Sequence, residues 1–221
     1  MKLTKNLGIL LVGVLALAGC NTSINSSIVV NDGESRSGTL TSVNGNVSIG
    51  KDCKIDGTSR SVNGSVKVGD RSRVEDLSTV NGSIRIGEGV TIDGSVESVN
   101  GSVGLGTGSE VSGKIATVNG SIELERSIVK RDVRTVNGDV ELLDNSVVKG
   151  DVVIEGKVMG SKRTRPIEIE VAGGSVIEGD VLVKRNVDVR LILRDGGKVL
   201  GTVDGAEIVD KNIAQPASDG A

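Results

Sequence analysis

Three acidic side chains are spaced so that a repeating fold would bring their oxygen atoms together. Asp56, Glu75 and Asp93 recur at nearly equal intervals along the chain. Carboxylate oxygens are ligands that Ca²⁺ prefers, so this column is a weak candidate for a metal site. Lys54 and Arg73 lie beside it, and no glycine-rich acidic loop of the calcium-binding kind surrounds it. We therefore predict a solvated charged face and no metal.

Positive charge is concentrated in the stretch Ser161-Lys162-Arg163-Thr164-Arg165-Pro166. This stretch interrupts the apolar pattern on either side of it, so we expect a protruding loop. Lys162, Arg163 and Arg165 could bind the phosphate groups of a lipid or an anionic envelope glycan. A solvated loop without a ligand is the simpler interpretation.

The chain has no His, Phe, Tyr or Trp. It therefore lacks the commonest general base and metal ligand, and every aromatic platform on which sugars or bases stack. The net charge is −3, and loss of an N-terminal segment that contains Lys2 and Lys5 but no acid would make it −5. Such a protein is poorly suited to bind a phosphate backbone. The composition predicts a protein that is not an enzyme, needs no cofactor and binds no nucleic acid.

The N-terminal residues have the pattern of a bacterial export signal. Lys2 and Lys5 precede an apolar run, 7–19, that is too short to span a bilayer comfortably. The run ends in Leu17-Ala18-Gly19-Cys20, which resembles the lipobox of bacterial lipoproteins. The resemblance implies cleavage before Cys20 and attachment of diacylglycerol and palmitate there, so that lipid holds the protein in a membrane. An ordinary signal peptide that happens to precede a cysteine is the alternative.

Two further residues bear on this anchor. In the lipoproteins that the motif resembles, an Asp after the cysteine favours the inner membrane, so Asn21 favours the outer membrane, with the periplasmic or surface face left open. Cys53 is the only other cysteine, so acylation of Cys20 would leave no internal disulfide. We predict that Cys53 is a small repeat residue and not a reactive thiol.

The tripeptide Val-Asn-Gly occurs six times, beginning at Val43, Val62, Val80, Val99, Val118 and Val136. Each copy is followed by two apolar residues at alternate positions, which indicates a half-buried strand, and two further apolar columns complete each repeat. Self-similarity at this period is typical of a solenoid. The sequence predicts an all-β, single-domain, three-sided parallel β-helix with about 18–19 residues per coil.

The Asn-Gly pair should mark a corner of each coil, because both residues tolerate positive φ. We expect the asparagines to form a structural ladder of amides, with a row of ligand-binding amides as the alternative; they are Asn44, Asn63, Asn81, Asn100, Asn119 and Asn137. A parallel hydroxyl column contains Ser42, Ser61, Thr79, Ser98, Thr117 and Thr135. On another column Lys67 and Arg85 give way to Glu123 and Glu141, so no stripe of one charge runs along the solenoid.

These patterns divide the chain into four parts. Residues 1–19 are the predicted lipoprotein signal peptide, and residues 20–39 are the lipidated cysteine and a polar tether, with 21–27 irregular and room for a first strand. Residues 40–210 are the solenoid, and residues 211–221 are a disordered tail.

Iterations such as Ser61-Val62-Asn63-Gly64-Ser65-Val66-Lys67-Val68-Gly69 resemble the repeats of bactofilins, which are polymer-forming cytoskeletal proteins, and of related putative-adhesin domains. The resemblance covers residues 41–205. It implies a β-helix, scaffold or adhesion roles and no catalytic residues. It also favours a right-handed coil, although a six-residue rhythm allows a left-handed one. The export signal departs from the bactofilins, which are mostly cytoplasmic.

Taken together, the sequence predicts a non-enzymatic, membrane-anchored solenoid that serves as an envelope scaffold or adhesion-like surface. Its partner would be an envelope polysaccharide or protein. The alternative is a binding module for an anionic envelope glycan or phosphate-bearing lipid through Lys162, Arg163 and Arg165. Polar residues at both ends of the repeat favour a monomer or small oligomer over a filament.

Overall fold

The computed structural model describes residues 21–156 and 165–212. These residues form three parallel sheets that stack about ten turns of chain into a β-solenoid, which confirms the predicted fold class. Each coil contributes one strand to sheet 1, then one to sheet 2 and one to sheet 3. We number the coils 1 to 10 along the chain, and coil 10 contributes strands to sheets 1 and 2 only.

The strands of the three sheets are short. Sheet 1 contains Asn21–Ser23, Leu40–Ser42, Ser59–Asn63, Leu77–Asn81, Val96–Asn100, Ile115–Asn119, Val133–Thr135, Val152–Ile154, Val181–Val183 and Val203–Asp204. Sheet 2 contains Ile28–Val30, Val47–Ile49, Val66–Val68, Ile84–Ile86, Val103–Leu105, Ile122–Glu125, Val140–Leu143, Ile167–Val171, Val189–Leu193 and Glu207–Asp210. Sheet 3 contains Ser35–Ser37, Lys54–Asp56, Arg73–Val74, Thr91–Ile92, Glu110–Val111, Ile128–Val129, Val147–Val148, Val176–Ile177 and Lys198–Val199.

The core is a prism filled by aliphatic side chains. Every second residue of a strand points inward, so equivalent residues stack in columns, as Leu77 does on Val96 and Ile84 on Val103. Val66, Ile84 and Val103 are completely buried. One coil cannot bury its own apolar side, so the neighbouring coils supply the burial that stabilises it.

The Asn-Gly corner differs from the expectation of positive φ. None of the six predicted ladder asparagines has positive φ. Left-handed residues lie instead in the turn from sheet 2 to sheet 3, one in each of coils 1 to 6 and two in each of coils 7 to 9; these residues are Gly33, Asp52, Arg71, Gly89, Gly108, Arg126, Asp144, Asn145, Gly173, Gly174, Asp195 and Gly196. The expectation was wrong because the backbone at these six asparagines keeps negative φ, whereas the left-handed residues lie in the turn before sheet 3.

Close packing between coils explains the glycine of each Val-Asn-Gly. A Cβ atom on Gly82 would collide with the carbonyl group of Gly64 in the preceding coil, and one on Gly101 would collide with the carbonyl of Gly82. The same holds for the other repeat glycines. Gly is therefore needed at this corner for space between stacked backbones, because any side chain would separate the coils.

The solenoid includes residues for which the sequence predicts a tether. Asn21–Ser23 pairs in parallel with Leu40–Ser42, and Ile28–Val30 pairs with Val47–Ile49. Backbone hydrogen bonds hold these strand pairs together, so the first coil does not require the apolar pattern that marks later coils. The signal segment 1–19, Cys20, Lys162, Arg163 and residues 213–221 of the predicted tail lie outside the described residues.

Candidate functional site

The asparagines of Val-Asn-Gly form a continuous ladder along one exposed edge of the solenoid. The Nδ2 of each residue donates to the Oδ1 of its equivalent in the preceding coil, as from Asn81 to Asn63 at 2.8 Å and from Asn100 to Asn81 at 2.9 Å. The remaining links involve Asn44, Asn119 and Asn137. Each amide thus uses one donor and one acceptor to bind coil to coil.

Two residues that the repeat does not include complete this ladder. Asn25 accepts a hydrogen bond of 2.7 Å from Asn44 and so extends the ladder into coil 1. At the other end, the Arg185 guanidinium donates to Asn137 Oδ1 at 2.9 Å and to the Val136 carbonyl at 2.5 Å. The last oxygen of the ladder is therefore occupied, which favours a structural role for this row over ligand binding.

The predicted hydroxyl column lies inside the solenoid. Ser42, Ser61, Thr79, Ser98, Thr117 and Thr135 are each 3% exposed or less. Most of them donate to a carbonyl at the Asn-Gly corner of the preceding coil, as Ser61 does to Gly45 at 2.8 Å and Thr79 to Gly64 at 2.9 Å. A surface ligand cannot reach these hydroxyl groups, so the column stabilises the corner.

A second buried serine column was missed in the sequence. Ser72, Ser109, Ser127, Ser146 and Ser175 lie immediately after the left-handed turn. The Ser146 hydroxyl accepts the backbone N–H of Ser127 at 3.2 Å and donates to the Leu124 carbonyl at 2.9 Å. The signal was a serine recurring two residues before the apolar residue of sheet 3 strands, as Ser109 does before Val111 and Ser146 before Val148.

Cys53 occupies the position of this serine column in coil 2, one repeat before Ser72. It is 3% exposed, and its thiol lies 3.1 Å from the carbonyl oxygen of Asn31. Its backbone N–H donates to the Ser72 hydroxyl at 3.0 Å. Cys53 therefore packs as a small repeat residue.

The three carboxylates that the sequence offered as candidate metal ligands lie side by side on the outside of sheet 3. Basic side chains bind two of them: Lys54 Nζ lies 2.8 Å from Asp56, and Arg73 makes two contacts of 2.7 and 2.8 Å with Asp93. Glu75 lies between these pairs. Among the described residues no group of three or more ligating side chains could hold a metal ion. Two of the three carboxylates are thus paired with basic side chains on the same face.

Arg165 is the only residue of the predicted cationic cluster that the described ranges include. Its guanidinium lies 2.5 Å from Asp139 Oδ2, and this hydrogen bond raises the pKa of Arg165. Asp139 is the less exposed partner, with 17% of its side chain accessible. This ion pair connects the start of the sheet 2 strand of coil 8 to coil 7. It also leaves less of the Arg165 charge available to a ligand.

The outer column of sheet 2 has an unusual order of charge. Lys67 pairs with Arg85 in adjacent strands, Gly104 follows, and Glu123 pairs with Glu141 beyond it. Burial raises the pKa of Glu141, and the neighbouring charges of Glu123 and then Glu170 raise it further. Like charges therefore lie next to each other on this face.

A polar cluster crosses the outside of sheet 1 near coils 7 and 8. The Arg134 guanidinium contacts Asp132 and Glu155, each at 2.6 Å. Burial alone would raise the pKa of Asp132, but hydrogen bonds from Arg134 and from the Asp151 N–H bring this pKa below its ordinary value. Arg134 Nε is buried without a partner among the described atoms. A single guanidinium thus bridges two carboxylates in this cluster.

The outside of sheet 1 also contains a shallow depression of about 210 Å³. This is smaller than most small-molecule sites, which occupy roughly 300–1,000 Å³. Its lining is polar apart from one buried leucine and consists of Thr58, Arg60, Asp76, Leu77, Ser78, Ser95 and Glu97. Arg60 already donates to Ser78 at 3.0 Å. The depression offers no converging catalytic groups.

No family model, curated protein or solved structure matches this chain. Within residues 21–156 and 165–212, no helix is long and apolar enough to cross a membrane. The bactofilin resemblance therefore stands on the repeat alone, and what is shown is the parallel β-solenoid itself.

Proposed function

We propose that this protein is a non-enzymatic lipoprotein of the bacterial envelope, whose solenoid is held at a membrane by lipid on Cys20 and serves as a scaffold or adhesion-like surface. The observation that carries the scaffold role is that the solenoid forms one continuous rod. Coils stack in register from residue 21 onward in three sheets of ten, ten and nine strands. At about 4.8 Å per coil, the rod is about 45 Å long.

The position of the first strand supports a rigid link to the anchor. Sheet 1 begins at Asn21, directly after the predicted lipidated cysteine. A lipid on Cys20 would thus be attached next to the first coil, without a long intervening segment. Several acyl chains bind a bilayer far more firmly than one, because each buried methylene contributes about 0.8 kcal/mol. The outward residues then present a repetitive polar surface to an envelope polysaccharide or protein.

The alternative anion-binding function is less well supported. It needs the charge of Lys162, Arg163 and Arg165, and Arg165 is paired with Asp139. The rod, by contrast, does not depend on that loop.

A labelling and fractionation experiment tests the anchor. Wild-type protein should incorporate palmitate and remain with membranes, whereas Cys20→Ser should lose the label and become soluble. Cys53→Ser is the matched control: a serine suits this position, which belongs to a serine column, so this variant should keep both label and location. Membrane-bound, labelled Cys20→Ser protein would refute the anchor.

The scaffold role has its own test. Cells that lack the protein should show an envelope defect, such as sensitivity to detergent, which wild type restores. Cys20→Ser should fold with an unchanged melting curve but fail to restore the envelope. Full restoration by the unanchored form would refute a membrane-held scaffold.

A further inference from the structure

The outer column of sheet 2 is antisymmetric in charge about Gly104 over two coils on either side. One coil to either side of Gly104 lie Arg85 and Glu123, and two coils to either side lie Lys67 and Glu141. Farther outward, Ser48 corresponds to Glu170, and Val29 corresponds to Ile192. A basic half thus precedes the centre and an acidic half follows it at equal distances.

The four central charges are left unneutralised within the described part of the monomer. Lys67, Arg85, Glu123 and Glu141 make no ion pair with any described residue, whereas opposite charges on sheet 3 bind each other across coils. Neighbouring strands lie about 4.8 Å apart, so each like-charged pair repels at close range. Stability of the monomer alone would favour the alternating arrangement of sheet 3.

The shape of this face suits a flat partner. The residues two positions before the central column are Ser65, Ser83, Ser102 and Ser121, and those two positions after it include Gly50, Gly69, Gly87 and Gly106. Small residues therefore border the column on both sides in coils 3 to 5, whereas Asn46 precedes it in coil 2 and Glu125 follows it in coil 6. At the centre, Gly104 has no atom within 4 Å of where a Cβ would lie, so nothing blocks approach there.

We propose that the outer face of sheet 2 binds the same face of a second copy of this chain, with the two solenoid axes antiparallel. The two-fold axis lies in the interface along the strand of Gly104. Arg85 then faces Glu123 of the second copy, and Lys67 faces Glu141. A parallel arrangement is excluded because it would place each charge against its own kind.

The size of the face sets the strength of this dimer. Strands three residues wide over nine coils cover about 400 Å² per copy, or about 800 Å² in total. This is below the roughly 1,200–2,000 Å² of stable specific interfaces and in the range of transient ones, so the dimer should be weak, reversible and sensitive to salt. A two-fold interface is closed and does not propagate into a filament. The proposal does not depend on the lipid anchor.

Sedimentation velocity of the full chain carrying Cys20→Ser tests the dimer. Wild type should shift from monomer to dimer with concentration at about 0.05 M salt, and the shift should weaken at least tenfold at about 0.5 M salt. Lys67→Glu/Arg85→Glu and Glu123→Lys/Glu141→Lys should each abolish the shift, and a mixture of the two variants should restore it. The matched control, Lys54→Glu/Arg73→Glu on sheet 3, changes the net charge equally and should still dimerise.

Crosslinking tests the orientation. In the same Cys20→Ser background, Gly104→Cys should be crosslinked by a bifunctional maleimide that spans about 10 Å, the separation of packed sheets. Ser48→Cys lies in the same column three coils away from the centre, so its thiols should be too far apart. Equal crosslinking of Ser48→Cys would overturn the antiparallel arrangement. A wild type that stays monomeric at every concentration would overturn the dimer.

Discussion

The backbone N–H of Ser127 donates a hydrogen bond of 3.2 Å to the hydroxyl of Ser146, whereas the hydroxyl of Ser127 itself is buried without a partner among the described residues. The two serines occupy equivalent places in successive coils, yet only one of them satisfies its polar group. The turns that precede the two serines differ in length: Val129 follows Leu124 by five positions, whereas Val148 follows Leu142 by six.

Replacing these two serines by alanine should therefore have opposite consequences. Ser146→Ala leaves the buried Ser127 N–H without its acceptor, so we expect a loss of about 1–3 kcal/mol in the free energy of unfolding. Ser127→Ala removes a hydroxyl that is desolvated without compensation, so stability should stay equal or increase. Chemical denaturation of both variants decides the matter, and equal losses would contradict this account.

Gly82→Ala should destabilise the solenoid by about 1–3 kcal/mol, because its Cβ would press on the Gly64 carbonyl in the preceding coil. Gly104→Ala is the control, since a Cβ there meets open space, and it should change stability by no more than about 0.5 kcal/mol. Thermal melts of dilute protein measure both changes. If the two variants melt alike, close packing between coils does not explain the glycine of Val-Asn-Gly.

Asn81→Leu should cost about 1–2 kcal/mol, because it breaks the hydrogen bonds to Asn63 and from Asn100. The loss is limited because the ladder is exposed and because Asn81 does not need positive φ. Asn81→Asp keeps the acceptor but not the donor, so it should lose less than Asn81→Leu. The denaturation midpoint is the measurement, and an unchanged midpoint in Asn81→Leu would mean that the ladder adds nothing to stability.

In dilute, monomeric protein, Glu141→Gln should raise the melting temperature at pH 7, by the equivalent of about 0.2–1 kcal/mol, because it removes one of two adjacent like charges. Burial and then Glu123 raise the pKa of Glu141 above 4.5, so the folded protein takes up this proton at a higher pH than the unfolded chain does. Wild type therefore gains stability as the pH falls through the folded pKa towards 4.5. The advantage of Glu141→Gln should shrink over the same range.

A control separates this effect from general loss of charge. Glu110→Gln removes a carboxylate that Lys130 contacts at 2.5 Å, so it should bring no gain in melting temperature. A gain of equal size in both variants would show that net charge, and not the neighbours of Glu141, governs the response.

Most of the fold could be predicted from the sequence, because its determinants are local. Alternation of apolar residues identifies strands, and recurrence of Val-Asn-Gly at a nearly constant interval gives the length of a coil. The positions that align in columns follow directly, so the asparagine and hydroxyl columns could be written down before the structure. The ends of the ladder could not: Asn25 belongs to no Val-Asn-Gly, and Arg185 reaches Asn137 from 48 residues away.

Only the tertiary structure decided which turn is shortened in the two repeats that are one residue shorter than the others. The interval from Val62 to Val80 and that from Val118 to Val136 are each one residue shorter than the other intervals between copies of Val-Asn-Gly. In the first, the turn from Val74 to Leu77 is shortened, between sheet 3 and sheet 1; in the second, the turn from Leu124 to Ile128 is shortened, between sheet 2 and sheet 3. The interval between copies of Val-Asn-Gly cannot distinguish the two cases, because a residue missing anywhere in a coil shortens that interval by the same amount. Backbone pairing between stacked coils places Val74 opposite Ile92 and Leu77 opposite Val96, so the residue missing from the first interval falls in the turn between these two strands. The same pairing of Leu124 with Leu105 and of Val129 with Val111 places the second deletion in the turn before sheet 3.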